Sequence, residues 1–185
     1  MTELRIAGFG GQGVILAGMV IGRAATIYDN KFVTLTQSFG PEARGSACSV
    51  QLIVSPEPVL YPYITRPDIL VVMSQEACNR FSGDIKPGGV LLYEQDLIKL
   101  SKKCAPDVTT FSIPATRLAE ELRRKLVLNM VMVRFVIAMT SLTTAEAGRK
   151  SVVDSVPKGT EKLNLAAFEK GYEYGRALLA ARDAA

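Results

Sequence analysis

The sequence predicts an α/β fold in which helices flank a single open, mostly parallel sheet, followed by a helical C-terminal region. Short apolar runs of strand character alternate along the chain with stretches of helical pattern, and this alternation is typical of parallel sheets. The first run leads directly into the glycine-rich segment Gly8–Gly13, and an apolar stretch of helical character follows it. A strand, a glycine-rich turn and a helix in this order are Rossmann-like. Because the chain has 185 residues, we expect residues 1–185 to form one domain.

The first predicted elements are four strands and one helix. Leu4–Ala7 is an apolar strand, and the stretch from Gln12 to Tyr28 has helical spacing. Phe32–Gln37 is a second strand, and Ala47–Val54 alternates apolar and polar residues as a strand with one covered face does. Ile69–Met73 is wholly apolar, which is typical of a strand buried on both faces.

Prolines and glycines separate the later elements. The proline-rich stretch Ser55–Tyr63 is a predicted loop, and Pro87-Gly88-Gly89 is a predicted turn. The other predicted elements are helices at Gln75–Phe81, Thr116–Lys125, Leu126–Leu142 and Leu163–Ala184, and strands at Val90–Tyr93 and Asp107–Ser112. The Leu126–Leu142 helix is apolar, but Arg134 near its centre opposes a membrane span, because a charge at mid-bilayer costs about 2.5–3.5 kcal/mol. We therefore expect no membrane insertion and a buried helix that also contacts partners.

Composition excludes several classes of function. The chain has no histidine, which excludes serine–histidine and cysteine–histidine nucleophilic systems and histidine metal sites. Its three cysteines, Cys48, Cys78 and Cys104, lie far apart, so we expect no metal site, no local iron–sulfur motif and a reducing, cytoplasmic location. The net charge of +4 is dispersed and not interleaved with aromatic residues, which argues against a nucleic-acid surface.

Gly8, Gly10 and Gly13 have the G-x-G-x-x-G spacing of a phosphate-binding loop between a strand and a helix. A dinucleotide site also needs an acidic residue at the end of the second strand to hold the ribose hydroxyls. The second predicted strand ends instead in Gln37 and Ser38, so we expect no tight binding of NAD or NADP.

Two alternatives for this loop stay open. In the first, backbone N–H groups from Gly10, Gly11, Gln12 and Gly13 hold an anion or the tail of a cofactor, and Arg44 acts as a charged clamp. In the second, the same loop is a subunit interface. Further candidates for chemistry are Glu42, Asp68 and Ser74-Gln75-Glu76, and we expect Asp68 to be a structural turn residue.

Two loops together carry a resemblance to a known family. The segments Gly8–Gly18 and Gln37–Ser46 resemble the gamma subunit of the 2-oxoacid:ferredoxin oxidoreductases. Later segments fit the same family in the same order, and they are Arg66–Ala77, Lys86–Gly89, Ile113–Thr116, Asn129-Met130 and Ala166–Gly171. The sequence from Gln37 to Arg44 is most similar to that of the 2-oxoglutarate branch of the family. One departure is Arg44-Gly45-Ser46, where the family often has Arg-Gly-Gly.

The resemblance implies a subunit of an enzyme that converts a 2-oxoacid, coenzyme A and oxidised ferredoxin into acyl-coenzyme A, carbon dioxide and reduced ferredoxin. It implies that thiamine diphosphate and iron–sulfur clusters are bound by alpha and beta subunits, and whether a delta subunit is present stays open. We expect no catalytic residue in this chain. The rival hypothesis is a free-standing nucleotide-binding oxidoreductase built on the Gly8–Gly13 loop.

The resemblance also implies surfaces for docking. We expect the exposed part of the Leu126–Leu142 helix and the Ser38–Ser46 loop to contact the other subunits. Where such an apolar face stays uncovered, the isolated chain is expected to self-associate into a homo-oligomer.

Overall fold

Six strands form one sheet in the part of the chain that the computed structural model describes, which is residues 1–40, 46–100 and 107–183. The strands are β1 (Thr2–Phe9), β2 (Phe32–Phe39), β3 (Ala47–Ser55), β4 (Ile69–Val72), β5 (Val90–Glu94) and β6 (Thr109–Ile113). Their order across the sheet is β2-β3-β1-β4-β5-β6.

The predicted mostly parallel α/β sheet is confirmed, with one strand reversed. β1, β4, β5 and β6 are parallel neighbours, whereas β3 is antiparallel to both β1 and β2. The reversal follows from the short connection between β2 and β3, because antiparallel neighbours can be joined by a short loop and parallel ones need a crossover. The carboxyl ends of β1, β2, β4, β5 and β6 therefore lie at one edge, together with the start of β3.

The described residues form six α-helices around this sheet. They are α1 (Val14–Arg23), α2 (Gln75–Phe81), α3 (Ala115–Glu121), α4 (Leu128–Thr140), α5 (Ala145–Ser155) and α6 (Glu161–Asp183). α1 continues as a π-helical turn, Ala24–Tyr28. In one core cluster α1, α4 and α6 pack on one face of the sheet, and in a second, smaller cluster α2 covers part of the other face.

Helix bounds differ from the sequence prediction where the backbone turns. α1 begins at Val14 rather than Gln12, because Gly13 at its start has a left-handed φ of 71°. α3 ends at Glu121 rather than Lys125, and Arg123 just beyond it has a φ of 58°. These turns use backbone conformations that a helical pattern of side chains does not reveal.

The apolar helix α4 is covered by the chain itself. Its residues Asn129–Ile137 are buried, and α1, α3, α5 and α6 all pack against it. These residues are not available to partners, whereas Leu126, before the start of α4, is 77% exposed, so docking on the exposed part of this segment stays a prediction. None of the helices among the described residues is long and apolar enough to cross a membrane.

Two aromatic rings on α6 accommodate the positive charge of Arg134 within this apolar helix. Its guanidinium lies 4.1 Å from the ring centre of Tyr172 and 5.3 Å from that of Phe168, both on α6. Burial lowers the pKa of Arg134, and the charge of nearby Glu169 opposes that shift. The two rings therefore hold the buried cation between α4 and α6.

α5 was not identified as a separate helix from the sequence. Thr144 caps it, since the hydroxyl of Thr144 accepts a hydrogen bond from the backbone N–H of Ala147 at 3.2 Å. A threonine followed by Glu146 in the first turn is a helix-start signal that could have revealed α5.

Asp29 ties the end of the π-helical turn to the start of α5. Its carboxylate accepts hydrogen bonds from the hydroxyl of Thr143 at 2.5 Å and from the N–H and hydroxyl of Thr144 at 2.7 and 2.8 Å. Burial alone would raise the pKa of Asp29, but these hydrogen bonds and the charge of Lys31 outweigh it and hold the pKa below its usual range. The ionised form of Asp29 is therefore the form that stabilises the fold.

We expect Asp29→Asn to lower the free energy of unfolding at neutral pH by about 1 kcal/mol, since the hydrogen bonds to the charged carboxylate are partly exposed to water. A lowered pKa stabilises the fold above the ordinary aspartate pKa of about 4, and this contribution is lost as pH falls through the lowered pKa of the folded state. The difference between wild type and variant should thus shrink as the pH falls from 5 towards 2 in urea unfolding series. Glu173→Gln on the exposed side of α6 is the control and should change little. A pH-independent difference for Asp29→Asn would contradict this assignment.

Candidate functional site

The Gly8–Gly13 loop lies between the carboxyl end of β1 and the start of α1. Gly11 has a φ of 99° and Gly13 a φ of 71°, conformations that favour glycine. The N–H of Gly10 donates to the carbonyl of Ser46 at 2.9 Å, and the N–H of Gln12 donates to the carbonyl of Phe9 at 3.1 Å. Two of the four N–H groups expected to serve as anion donors are therefore used inside the fold, which corrects that expectation for Gly10 and Gln12.

The side chain of Gln12 fixes the loop to the neighbouring strand. Its amide oxygen accepts from the N–H of Phe9 at 2.7 Å, and its amide nitrogen donates to the carbonyl of Met73, just after β4, at 2.7 Å. A Cβ on Gly8 would lie 2.5 Å from that amide oxygen. Gly8 and Gln12 thus have structural roles, and Gln12 does not face the groove described below.

Gly13 makes the closest approach to α4. The amide nitrogen of Asn129 lies 3.4 Å from the carbonyl oxygen of Gly13, and a Cβ on Gly13 would collide with the amide of Asn129. The start of α1 therefore rests directly on the start of α4.

A groove with a volume of about 570 Å³ opens beside this loop. Its described lining carries no charge and consists of Gly10, Gly11, Gly13, Val14, Ile15, Leu16, Phe39, Gly40, Ser46 and Cys48. α1 begins here with no side-chain cap and no acidic residue in its first turn. Its first N–H groups carry the partial positive charge of a helix start, and none of the hydrogen bonds among the described residues involves the N–H of Gly11 or Gly13. The groove combines apolar walls with backbone donors.

Cys48 contributes a thiol to this groove. Burial raises the pKa of Cys48, so the neutral thiol prevails at neutral pH. A neutral thiol is a weak nucleophile, and the groove therefore has no activated cysteine.

The other candidate residues are dispersed. Arg44 and Glu42 lie outside the described residues. Asp68 lies at the opposite edge of the sheet, where it accepts from the N–H of Glu3 at 2.7 Å and pairs with Lys86 at 2.8 Å. Its role is structural, but its side chain joins distant segments rather than capping a turn. Ser74 caps α2 by accepting from the N–H of Ala77 at 3.2 Å.

Gln75 and Glu76 do not join the groove. The side chain of Gln75 bonds both the N–H and the carbonyl of Lys99, and Glu76 is exposed beside Arg80 at a separate small cavity. The candidates among the described residues thus do not converge on one catalytic centre.

Glu94 is a buried carboxylate that the sequence analysis missed. It ends β5, and its oxygens accept from the N–H groups of Asp96, Leu97 and Thr116 at 3.0, 2.8 and 3.2 Å. It orders the turn after β5 and the start of α3. The sequence signal that could have identified Glu94 is its position as an acidic residue at the end of an apolar strand.

The sheet topology differs from that of a dinucleotide-binding site. In such sites the second strand is a parallel neighbour of the first, which brings its terminal acid next to the glycines. Here β3 lies between β1 and β2, and β2 ends in Gln37-Ser38-Phe39. Across the described ranges no group of three or more histidine, cysteine or acidic residues is placed to hold a metal ion.

We expect alanine substitutions in the glycine loop to distinguish the stability cost of backbone strain from the stability cost of a steric collision. Gly11→Ala has open space but a positive φ, so it should cost about 1–2 kcal/mol of stability. Gly13→Ala should cost more, because it adds the collision with Asn129, and Asn129→Ala in the same chain should recover part of the loss. Thermal and urea unfolding measure this, with Gly83→Ala, which has open space and no positive φ, as the neutral control. Equal costs at positions 11 and 13 would contradict the close contact.

The comparisons with known proteins agree with one another. The family model "Pyruvate ferredoxin/flavodoxin oxidoreductase" matches residues 3–174. The 2-oxoglutarate synthase subunit KorC of Methanocaldococcus jannaschii is 49% identical over 95% of both chains, and that of Methanothermobacter thermautotrophicus is 44% identical over 92% of this chain and 93% of its own.

Solved structures show the same fold. A keto/oxoacid ferredoxin oxidoreductase gamma subunit from Geobacter sulfurreducens has a TM-score of 0.82 at 37% identity and covers 96% of this chain and 99% of its own. A 2-oxoglutarate:ferredoxin oxidoreductase from Magnetococcus marinus has a TM-score of 0.86 at 23% identity over 95% of this chain and 31% of its own, a similarity of fold. The chain therefore belongs to the pyruvate ferredoxin/flavodoxin oxidoreductase family, and the predicted similarity to its gamma subunits is confirmed.

Proposed function

We propose that this chain is the gamma subunit of a 2-oxoglutarate:ferredoxin oxidoreductase, which forms succinyl-coenzyme A and carbon dioxide from 2-oxoglutarate and coenzyme A while it reduces ferredoxin. The observation that carries the proposal is the 49% identity, over nearly the whole chain, to a 2-oxoglutarate synthase subunit. Two pyruvate synthase subunits are only 28% and 29% identical over a similar length. The difference favours 2-oxoglutarate over pyruvate as the substrate of the complex.

The division of labour follows from the chemistry that this chain lacks. Its sequence has no histidine. Its cysteines also lack the close spacing that a local iron–sulfur site needs. Thiamine diphosphate and the clusters then belong to alpha and beta subunits, with ferredoxin as the electron acceptor of the complex. We place this complex in the cytoplasm, with residues 1–185 as one gamma-subunit domain.

We propose the groove at the start of α1 as the place where this subunit contributes to binding. A volume of about 570 Å³ is typical of a ligand site, and the groove joins apolar walls to unused backbone donors at a helix start. Such a groove suits a ligand with an anionic group, and the coenzyme A phosphates of the implied reaction have that chemistry. Arg44 is a further candidate from the sequence, as a clamp on the same anion. A subunit interface at this loop is the alternative.

A free-standing nucleotide-binding oxidoreductase is not supported. The strand order separates β2 from β1, and the comparisons lead to subunits of 2-oxoacid enzymes.

Omission of this chain should abolish activity of the complex. We expect 2-oxoglutarate- and coenzyme-A-dependent reduction of viologen or ferredoxin by alpha, beta and this chain together, and no turnover by this chain alone. Pyruvate in place of 2-oxoglutarate is the substrate control and should give much lower kcat/KM. Full activity without this chain, or higher kcat/KM with pyruvate, would show that the role or the substrate is wrong.

A matched pair at Gly11 tests the groove as an anion site. Gly11 has open space and a positive φ, which asparagine and aspartate adopt more readily than other side chains, so both substitutions should fold alike. Gly11→Asp places a negative charge beside the unused N–H groups and should raise KM for coenzyme A several-fold above that of Gly11→Asn. The difference should shrink at high salt because exposed charges are screened. Equal KM values with equally impaired assembly would instead identify the loop as a subunit interface.

A further inference from the structure

β2 forms an open edge of the sheet in the part of the chain that the structure describes. It is eight residues long, Phe32–Phe39, and β3 is its neighbour in the sheet. An edge strand of this length presents a row of backbone N–H and C=O groups to which another strand can bind.

The register with β3 shows which backbone groups point outward. The N–H of Gly40 donates to the carbonyl of Ala47, and hydrogen-bonded pairs alternate along an antiparallel ladder. The even-numbered residues of β2 therefore bond to β3. The outward N–H and C=O groups belong to Val33, Leu35, Gln37 and Phe39.

β2 lacks the features that usually keep an edge strand from pairing. Natural edge strands carry lysine or other charges, proline, or a bulge. β2 reads Phe-Val-Thr-Leu-Thr-Gln-Ser-Phe, with no charge and no proline, and its ladder with β3 runs from Phe32 to Phe39 without interruption. Both terminal aromatic rings are exposed, Phe32 at 47% and Phe39 at 66%. The backbone chemistry of this edge selects one kind of partner, an extended strand.

We propose that β2 pairs antiparallel with β2 of a second copy of this chain, about a twofold axis at Thr36. In this register all four outward residues find partners: Val33 faces Phe39 of the second copy, and Leu35 faces its Gln37. The exposed ring of Phe39 then covers Val33 of the second copy, and Phe32 covers its Gly40, where no side chain competes for the space. The strand is thus complementary to itself, as a twofold interface requires.

The loop before β4 extends the same surface. Tyr63 lines a cavity with Thr36, Gln37 and Ser38, so its ring lies beside the strand near the proposed axis. Leu60, Tyr61 and Tyr63 are exposed, although Arg5 and Gln51 anchor the loop by bonding the carbonyl and the N–H of Ile64 at 2.9 and 3.1 Å. An anchored loop that exposes large apolar side chains is typical of an interface. The twofold axis brings both copies of this loop to the same side of the joined sheet.

Charge substitutions at the axis test the pairing, which does not depend on the proposed catalytic role. We expect the purified full-length chain to be a dimer by sedimentation velocity. Thr36→Lys and Thr36→Glu each place like charges opposite each other and should weaken dimerisation by about tenfold or more, whereas an equimolar mixture of the two should restore the dimer. Thr110→Lys on β6, at the other edge of the sheet, is the matched control and should remain dimeric. A monomeric wild type, or variants that stay dimeric alone, would overturn the proposal.

Hydrogen exchange on the unmodified chain provides a second measurement that does not depend on any variant folding. The outward amides of Val33, Leu35, Gln37 and Phe39 should become protected as protein concentration rises. The amides of Thr34, Thr36 and Ser38, which bond to β3, should be protected at all concentrations. Outward amides that exchange fast throughout, or that become protected only when other subunits are added, would assign the edge to solvent or to another subunit and overturn the pairing.

Discussion

The close approach of neighbouring segments to helix α4 is the constraint on which the rest of this structure depends. α4 is buried along most of its length, so the elements around it must pack without intervening side chains. A Cβ on Gly171 of α6 would collide with the carbonyl of Val131, and one on Gly148 of α5 would lie 2.8 Å from Ile137. Gly13 makes the corresponding contact at the start of α1. Glycines therefore bring α1, α5 and α6 onto one central helix, and interior packing of this density leaves little room for substitution.

The same packing decides what the glycine-rich loop can do. With Gly13 held against Asn129 and Gln12 bonded across to Met73, the loop has one fixed shape. That shape uses the N–H groups of Gly10 and Gln12 internally, whereas those of Gly11 and Gly13 make no hydrogen bond among the described residues and belong to residues that line the groove. Such a set of donors beside apolar walls can orient a ligand, and the described lining of the groove carries no acidic or basic side chain. We propose that the chemistry comes from other subunits of the complex.

The sequence was most informative about strands and least informative about how they pair. The runs Ile69–Met73 and Val90–Tyr93 predict strands, and β4 (Ile69–Val72) and β5 (Val90–Glu94) lie there. The alternation in Ala47–Val54 identified β3, but alternation is the same in either direction, so the reversal of β3 and its insertion between β1 and β2 were not predictable from it. The missing acid near Gln37 argues against a dinucleotide site, and the strand order, which separates β2 from β1, argues in the same direction. The bond from the side chain of Gln12 to the carbonyl of Met73 joins segments that are distant in the sequence, and no local pattern encodes it.

We propose that this chain is a binding subunit whose groove at the start of α1 contacts a ligand and the rest of the enzyme. Hydrogen exchange measured on the assembled complex, with and without coenzyme A, tests this role most directly. The account predicts that the amides of Gly11, Gly13 and Val14–Leu16 become protected on assembly and more strongly so when coenzyme A is added, whereas the edge near Asp68 and Lys86 stays unchanged. Unchanged exchange at the start of α1 in both states, with protection confined to other surfaces of the chain, would contradict it.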